Sequence, residues 1–141
     1  MGSTVTNGNV SNGKLEYIMT STMMDEKLTA DAYILATGSF LSDGLKSNYE
    51  RIYEPILDLD VEASKNRAEW IDPNVFNAQP YHSFGVKTNE NFQPSLKGQT
   101  LENMYAIGSV LGGHNAIHQA DGTGVSMMTA LAVANRLINK I

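Results

Sequence analysis

The segment from Tyr105 to Ser126, YAIGSVLGGHNAIHQADGTGVS, combines five glycines with two histidines and one aspartate. Because glycine loses more backbone freedom on folding than any other residue, such a cluster marks tight turns or a backbone that approaches a ligand closely. The DGTG sequence at 121–124 opens a helical pattern, and the first N–H groups of a helix have no intrahelical partner. This helix entry predicts a site for a phosphate or for the N1–C2=O edge of a flavin ring. A tight strand-to-helix turn without a ligand is the alternative.

Two histidines of this segment, His114 and His118, lie four residues apart, with Asp121 beyond them. This spacing suits a metal ion only if the stretch is helical, and the neighbouring glycines indicate a loop. We therefore predict no metal site. Either one of these histidines hydrogen-bonds a flavin or a substrate, or both are loop side chains that face solvent or cap the backbone.

The elements that position this segment indicate an α/β fold. Residues 1–40 predict a β-meander that ends in a strand followed by ATG. The turns of the meander are the dipeptides Asn7-Gly8, Asn12-Gly13 and Asp25-Glu26. Between them, Lys14–Thr20 is rich in β-forming residues. The nearly continuous apolar run Ala30–Ala36 predicts a strand buried on both faces, which stops at Thr37-Gly38.

The rest of the chain divides into an irregular part and a regular part. Residues 41–100 contain all four prolines, and this composition favours turns and short strands, one of them at Phe84–Thr88. Residues 101–141 begin with the short apolar strand Met104–Ile107, which ends at Gly108. After the glycine-rich loop, the apolar spacing predicts a helix at about Thr123–Asn139.

The predicted terminal helix has two faces. Apolar residues recur at helical spacing on one face, at Met127, Leu131, Ala134 and Ile138. The opposite side carries Thr129, Arg136 and Lys140, which predict a narrow solvent-facing stripe.

Composition limits the functional classes. The net charge of −5 and the scattered lysines and arginines argue against nucleic-acid binding, which needs a concentrated basic face. The absence of cysteine excludes disulfides, thiolate catalysis and iron–sulfur ligation by this chain. Since no apolar run approaches the roughly 18 residues that a membrane span needs, we predict no direct membrane span.

Four stretches carry a family resemblance: ADAYILATGSF, EPILDLDV, QPYHSFGVKTNENFQPS and LENMYAIGSVLGGHNAIHQADGTGVSMMTALAVANRL. With them, the chain resembles the C-terminal part of the B subunits of anaerobic glycerol-3-phosphate dehydrogenase, within the two-dinucleotide-binding flavoproteins. This resemblance implies a C-terminal fragment of an FAD/NAD(P)-binding-type fold. Residues 1–40 would be a β-meander and ATG strand, 41–100 a substrate-domain-like insertion, and 101–141 a terminal strand, flavin loop and helix. Together they would form one compact fragment of a larger chain.

The resemblance also implies which residues bind the cofactor. In chain order these are Thr37, Gly38, Gly108, Ser109, Gly112, Gly113, Gly122, Thr123 and Gly124. The first pair would lie at the nucleotide side, the next two pairs at the ribityl chain and the ring, and the last three at the pyrimidine edge. Many FAD-binding relatives have aspartate where this chain has Ser109. The resemblance implies FMN as the cofactor, which the shorter serine does not contradict, with FAD as the alternative.

The function implied by the resemblance is oxidation of sn-glycerol 3-phosphate to dihydroxyacetone phosphate. Electrons would pass through the flavin to a companion FAD-containing catalytic subunit and a membrane-associated Fe–S subunit, and then to quinone in anaerobic respiration. The location would be cytoplasmic, at the inner face of the membrane through a partner subunit. The alternatives are a flavoprotein of the same class with another substrate, and a non-catalytic assembly subunit with a vestigial flavin site.

The resemblance places His82 in the substrate-facing part of the family. Oxidation of a secondary alcohol needs a base for the hydroxyl proton, and histidine suits that role, so His82 is the candidate catalytic base. A half-buried structural histidine beside Tyr81 is the alternative. The cations available for a substrate phosphate are Arg51, Arg67 and Lys87, and the sequence does not choose among them.

One feature of the flavoprotein class is missing from these 141 residues. The class binds its nucleotide phosphate through a G-x-G-x-x-G turn, and the sequence contains no such motif. We therefore expect an excised fragment that, in isolation, binds flavin weakly or not at all and is inactive.

Overall fold

The computed structural model describes residues 2–23 and 26–139 and has the mixed α/β character that the sequence predicts. Its strands are β1 Val5–Ser11, β2 Lys14–Thr20, β3 Tyr33–Leu35, β4 Lys46–Ser47, β5 Ile52–Tyr53, β6 Val61–Glu62, β7 Gly85–Val86, β8 Ser95–Leu96, β9 Gln99–Thr100 and β10 Met104–Ala106. Its α-helices are α1 Ala116–Gln119 and α2 Gly122–Ile138. Short 3-10 helices cover Phe40–Ser42, Arg67–Glu69, Pro80–Ser83 and Gly108–Val110.

The first two strands form an antiparallel hairpin, and β2 has the predicted bounds. Its turn is the predicted Asn12-Gly13, where both residues have positive φ angles. The predicted turn at Asn7-Gly8 is wrong, because both residues lie within β1. Position 8 requires glycine because of packing, since a Cβ there would lie 2.7 Å from the side chain of Leu57.

The predicted meander is reduced to this hairpin and one bridge. Ile18 of β2 and Leu28 exchange two backbone hydrogen bonds. The next strand, β3, belongs to another sheet. The predicted turn at Asp25-Glu26 falls partly outside the described residues, because Asp25 is not among them.

Strand β3 pairs in parallel with β10, so the ATG turn and the glycine-rich segment leave the same edge of one sheet. This pairing places Tyr33 opposite Met104 and Leu35 opposite Ala106. Burial of β3 on both faces, as predicted from the apolar run, is wrong. Tyr33 and Leu35 are buried, whereas Ile34 between them is 51% exposed, because strand side chains alternate and only one face is covered.

The region 41–100 consists of two-residue strands and turns, in agreement with its composition. The strand predicted at Phe84–Thr88 is observed as β7, which pairs with β6. The hydrophobic core draws residues from the hairpin, this region and β10, including Leu15, Leu35, Leu45, Ile52, Trp70, Val86, Leu101, Met104 and Val110. The core therefore connects β3 and β10 to the segments that carry the candidate site.

The carboxylate of Asp60 organises the β8–β9 hairpin beside this core. It accepts hydrogen bonds from the Ser95 hydroxyl at 2.6 Å and from the N–H groups of Lys97 and Gly98 at 2.9 and 2.7 Å. Burial alone would raise the pKa of Asp60, but these three donors and the nearby Lys87 charge hold its pKa below the ordinary 3.8. Asp60 therefore has a structural role, and Lys87 lies beside it.

Helix α2 matches the predicted helix to within one residue at each end, and Arg136 is exposed as predicted, but the predicted apolar face and Thr129 are wrong. Met127, Leu131 and Ile138 are between 56% and 68% exposed. Thr129, predicted to face solvent, is only 8% exposed. The reason is that α2 packs on the Gly108–Val110 turn, where a backbone N–H needs the threonine hydroxyl. Lys140 of the predicted stripe lies outside the described residues.

Candidate functional site

The glycine-rich segment is anchored to α2 at the end of β10. Gly108 has a φ of 72°, and its N–H donates to Thr129 Oγ1 at 3.0 Å. The same hydroxyl donates to the carbonyl of Val125 at 2.7 Å. A Cβ at Gly108 would lie 3.3 Å from the hydroxyl of Ser126, in addition to the strain of a positive φ. The close packing of α2 on this turn therefore accounts for one glycine without a ligand.

Replacing Thr129 with valine tests this anchor. Valine keeps the shape but leaves the buried Gly108 N–H without an acceptor, and we expect a loss of about 1–3 kcal/mol in the free energy of unfolding. Thr123→Val is the matched control, because Thr123 is exposed at the start of the same helix. Urea denaturation of both variants measures the difference, and equal stability of the two would contradict the assigned role.

A second anchor holds the middle of the segment against β7. The N–H of Gly112 donates to Val86 O at 3.1 Å, and the N–H of Gly113 donates to Ser83 O at 2.9 Å. A Cβ at Gly112 would meet the side chain of Glu62 at 2.9 Å. Gly112 therefore has a packing role, and Gly113 provides a φ of 77°. The bond to Ser83 brings the residue after Gly113 close to the Pro80–Ser83 turn.

The ATG turn after β3 lies against the same segment. Thr37 is exposed, and Gly38 has a φ of 89°. A Cβ at Gly38 would collide with the hydroxyl of Ser42 and would lie 4.0 Å from Ser109 Oγ. The structure thus brings together Gly38 and Ser109, two of the predicted cofactor-binding residues that are 71 positions apart in sequence.

A small pocket of about 50 Å³ lies where these segments converge. It is lined by Ser39, Phe40, Leu41, Tyr81, His82, Ser109, Leu111, His114, Ala116 and Ile117. The rings of Phe40 and Tyr81, which both line the pocket, pack against each other with centroids 5.9 Å apart. A cavity of this size holds a few water molecules or a small polar group. A tricyclic flavin ring would therefore lie outside it, at its margin.

Two histidines, His82 and His114, line this pocket. His82, the predicted base, packs edge-on to the ring of Tyr81 at 4.3 Å. His114 Nε2 lies 2.8 Å from Asp121 Oδ1, and its side chain is 25% exposed. His118, in α1, does not line the pocket. The predicted loop conformation around His114 is confirmed, so the four-residue spacing of the histidines does not lie on one helix.

The start of α2 is open and lacks a side-chain cap. Asp121 is the N-cap residue, but its carboxylate contacts His114 and caps no helical N–H. A Cβ at Gly124 would meet nothing within 4 Å, and one at Gly122 would meet only the Cβ of Ala116 at 3.3 Å. Thr123 between them is exposed. This end of the helix therefore offers free N–H groups and space for an electron-rich group.

The three candidate cations lie elsewhere. Arg51 pairs with Asp58 at 2.7 Å, and a hydrogen bond from this guanidinium to Asp58 raises the pKa of Arg51. Arg67 stacks on the rings of Tyr49 and Trp70. Neither these arginines nor Lys87 line the pocket.

Sequence reasoning missed two polar members of the site. Ser39 follows the ATG turn and caps the Phe40–Ser42 turn by accepting from Leu41 N at 3.2 Å. The pairing of Asp121 with His114 was also missed. Their seven-residue separation gives no signal, because α1 and an αL residue at Ala120 reverse the chain between them.

Comparison with known proteins agrees with this geometry. The family model described as the FAD binding domain matches residues 1–125. The chain belongs to the FAD binding domain family. Membership of this family implies a flavin cofactor. The free N–H donors at the start of α2 and the open space at Gly124 fit the electron-rich edge of a flavin ring.

Three similar curated proteins are each named as the B subunit of anaerobic glycerol-3-phosphate dehydrogenase. The protein from Yersinia pestis bv. Antiqua (strain Antiqua) is 45% identical over 117 residues, covering 83% of this chain and 28% of the relative. That from Vibrio vulnificus (strain YJ016) is 44% identical over 126 residues, covering 88% and 29%. That from Haemophilus influenzae (strain PittEE) is 40% identical over 144 residues, covering 99% and 33%. The chain thus spans about a third or less of their length.

No solved structure matches the chain. Within residues 2–23 and 26–139, no helix has the length and apolar character to cross a membrane.

Proposed function

We propose that this chain forms part of a flavin-dependent dehydrogenase that oxidises sn-glycerol 3-phosphate to dihydroxyacetone phosphate, within the B subunit of an anaerobic enzyme. The substrate assignment rests on the shared name of relatives that are 40% to 45% identical. The observation that carries the flavin assignment is the uncapped first turn of α2, with open space at Gly124, next to a pocket that contains two histidines.

All nine predicted cofactor residues belong to the proposed site, but the roles predicted for Gly108, Gly112 and Gly113 at the ribityl chain and the ring are replaced here by a role in shaping the loop. The N–H groups of Gly122, Thr123 and Gly124 would hold the pyrimidine edge of the flavin. Gly38 and Ser109, which lie together, would flank the ribityl chain on the nucleotide side. Thr37 extends this side, whereas Gly108, Gly112 and Gly113 shape the backbone of the loop. When bound, the flavin supplies the oxidant that accepts the hydride from the substrate carbon.

The proposed flavin is FMN, with FAD as the alternative. A serine hydroxyl at position 109 is shorter than aspartate and carries no charge, so it forms a weaker anchor for a ribityl hydroxyl. The chain also contains no G-x-G-x-x-G turn for a nucleotide phosphate. We accordingly expect the 141-residue chain alone to retain flavin weakly or not at all.

Companion subunits are part of the proposal, because the relatives are named as one subunit of a larger enzyme. We propose that the companions are an FAD-containing catalytic subunit and a membrane-associated Fe–S subunit, and that electrons pass through the flavin to companion subunits and then to quinone. This arrangement would hold the protein at the cytoplasmic face of the membrane through its partners. The described residues contain no cysteine to ligate a cluster, which is consistent with clusters located on another polypeptide.

Anaerobic mixing of the complete gene product with glycerol 3-phosphate tests the function. We expect the absorbance of the bound flavin to bleach, and lactate, another 2-hydroxy compound without phosphate, to leave it unchanged. A flavin that is bound but is not bleached by glycerol 3-phosphate would favour another substrate. A colourless protein that binds neither FMN nor FAD would favour a non-catalytic assembly subunit.

A further inference from the structure

We propose that His114, oriented by Asp121, accepts the hydroxyl proton when the substrate is oxidised, and that His82, which lines the same pocket, positions the substrate. This inference rests on the proposed function, because it needs the secondary hydroxyl of the substrate to enter the pocket, with the rest of the substrate and an oxidised flavin at the pocket margin. It assigns the base to His114 and not to His82, the candidate to which the family resemblance led.

The geometry of His114 carries the proposal. Its Nε2 atom lies 2.8 Å from Asp121 Oδ1, and the side chain is three-quarters buried. An ionised carboxylate only accepts hydrogen bonds, so the neutral ring carries its proton on Nε2 and leaves the lone pair of Nδ1 as an acceptor. No other hydrogen bond to the His114 ring occurs among residues 2–23 and 26–139.

Asp121 suits the supporting role for a separate reason. It is the N-cap residue of α2, where the positive end of the helix dipole favours a negative charge. Because its carboxylate makes no cap hydrogen bond, it is available to the imidazole. A nucleophile or base that is held by a third, acidic group is the arrangement by which enzymes fix the tautomer and stabilise the protonated ring.

His82 lacks such a partner. Its ring contacts the edge of Tyr81, and no carboxylate of the described residues lies within ion-pair distance of it. Both histidines nevertheless line one pocket, because the Gly113 N–H to Ser83 O bond joins their segments. His82 can therefore hydrogen-bond the substrate while His114 receives the proton.

The reaction balances with these residues and the flavin of the proposed function. The O–H bond of the secondary alcohol breaks, and its proton passes to Nδ1 of His114. The C–H bond at the same carbon breaks, and the hydride passes to the oxidised flavin. The carbon–oxygen bond becomes a carbonyl, and the imidazolium formed on His114 is paired with the Asp121 carboxylate.

The test compares His114→Ala with His118→Ala in the complete gene product loaded with flavin. We expect His114→Ala to slow flavin bleaching by glycerol 3-phosphate by about 10²–10⁴-fold, the usual contribution of a general base. Free imidazole should restore part of this rate, which a purely structural role would not allow. His118→Ala removes a histidine four residues away that does not line the pocket, and its rate should match wild type.

A flavin-independent measurement accompanies these rates. In flavin-free protein, the hydrogen-bonded ring proton of His114 should give a downfield proton resonance that is lost in Asp121→Ala and His114→Ala but kept in His118→Ala.

In the flavin-loaded protein, His82→Ala should raise KM more than it lowers kcat.

The outcomes separate the two proposals. A wild-type flavin that glycerol 3-phosphate does not reduce would overturn the proposed function and this inference together. Normal bleaching in wild type and in His114→Ala would overturn this inference alone, as would a slow His114→Ala variant that imidazole does not rescue.

Discussion

Replacing Gly85 with alanine is expected to destabilise the protein by about 3 kcal/mol, at the upper end of the usual cost of overpacking. Gly85 is a buried residue of β7, and a Cβ there would run into the backbone of Leu111 and Gly112. Backbone cannot move aside as a side-chain end can. The glycine-rich segment must therefore shift away from β7, and its hydrogen bond from Gly112 N to Val86 O would be lengthened or broken.

The loss should extend beyond stability to the pocket. Because the same contact holds His114 near the Pro80–Ser83 turn, we expect Gly85→Ala in the complete gene product to lose the proposed oxidation of glycerol 3-phosphate even below its unfolding temperature. Urea denaturation and flavin bleaching measure the two effects. Gly124→Ala adds the same methyl group where nothing lies within 4 Å and serves as the control for stability. A Gly85→Ala variant as stable as wild type would show that the segment is not seated on β7.

Gly124→Ala is expected to raise stability and to lower flavin affinity, and it therefore tests the proposed flavin site directly. Gly124 lies in the first turn of α2, with an ordinary φ and open space around its Cα. Alanine is the better helix former, so we expect the flavin-free protein to gain up to about 1 kcal/mol in stability. If the flavin edge packs against this turn, the added methyl group overfills the contact at a cost of about 1–3 kcal/mol. Flavin affinity should then fall about tenfold, which corresponds to 1.4 kcal/mol.

In the complete gene product, thermal unfolding of the flavin-free protein gives the stability of Gly124→Ala, and quenching of flavin fluorescence gives its flavin affinity. The reciprocal control is Gly98→Ala, at a remote hairpin turn with a φ of 81° and no neighbour within 4 Å. There alanine is strained, so stability should fall by about 1 kcal/mol or more while flavin affinity stays unchanged. Unchanged flavin affinity in Gly124→Ala would place the ring elsewhere.

The sequence by itself determined the elements whose signals are local. The Asn12-Gly13 turn fixed the first hairpin because two adjacent residues tolerate positive φ. The apolar run before Gly108 marked β10, and the spacing after the DGTG sequence marked α2. The glycine-rich segment was also recognisable as a turn that opens a helix, since the DGTG sequence is a property of a few consecutive residues, and its binding of a ligand stays a prediction.

Only the tertiary structure decided which faces are buried and which side chains meet. The apolar periodicity of α2 pointed Met127 and Leu131 inward, yet Thr129 is the buried residue because its hydroxyl satisfies a backbone N–H far away in sequence. Likewise, His114 meets Asp121 because a single helical turn reverses the chain between them. Burial and pairing depend on partners brought together by the fold, and a local pattern carries no information about those partners.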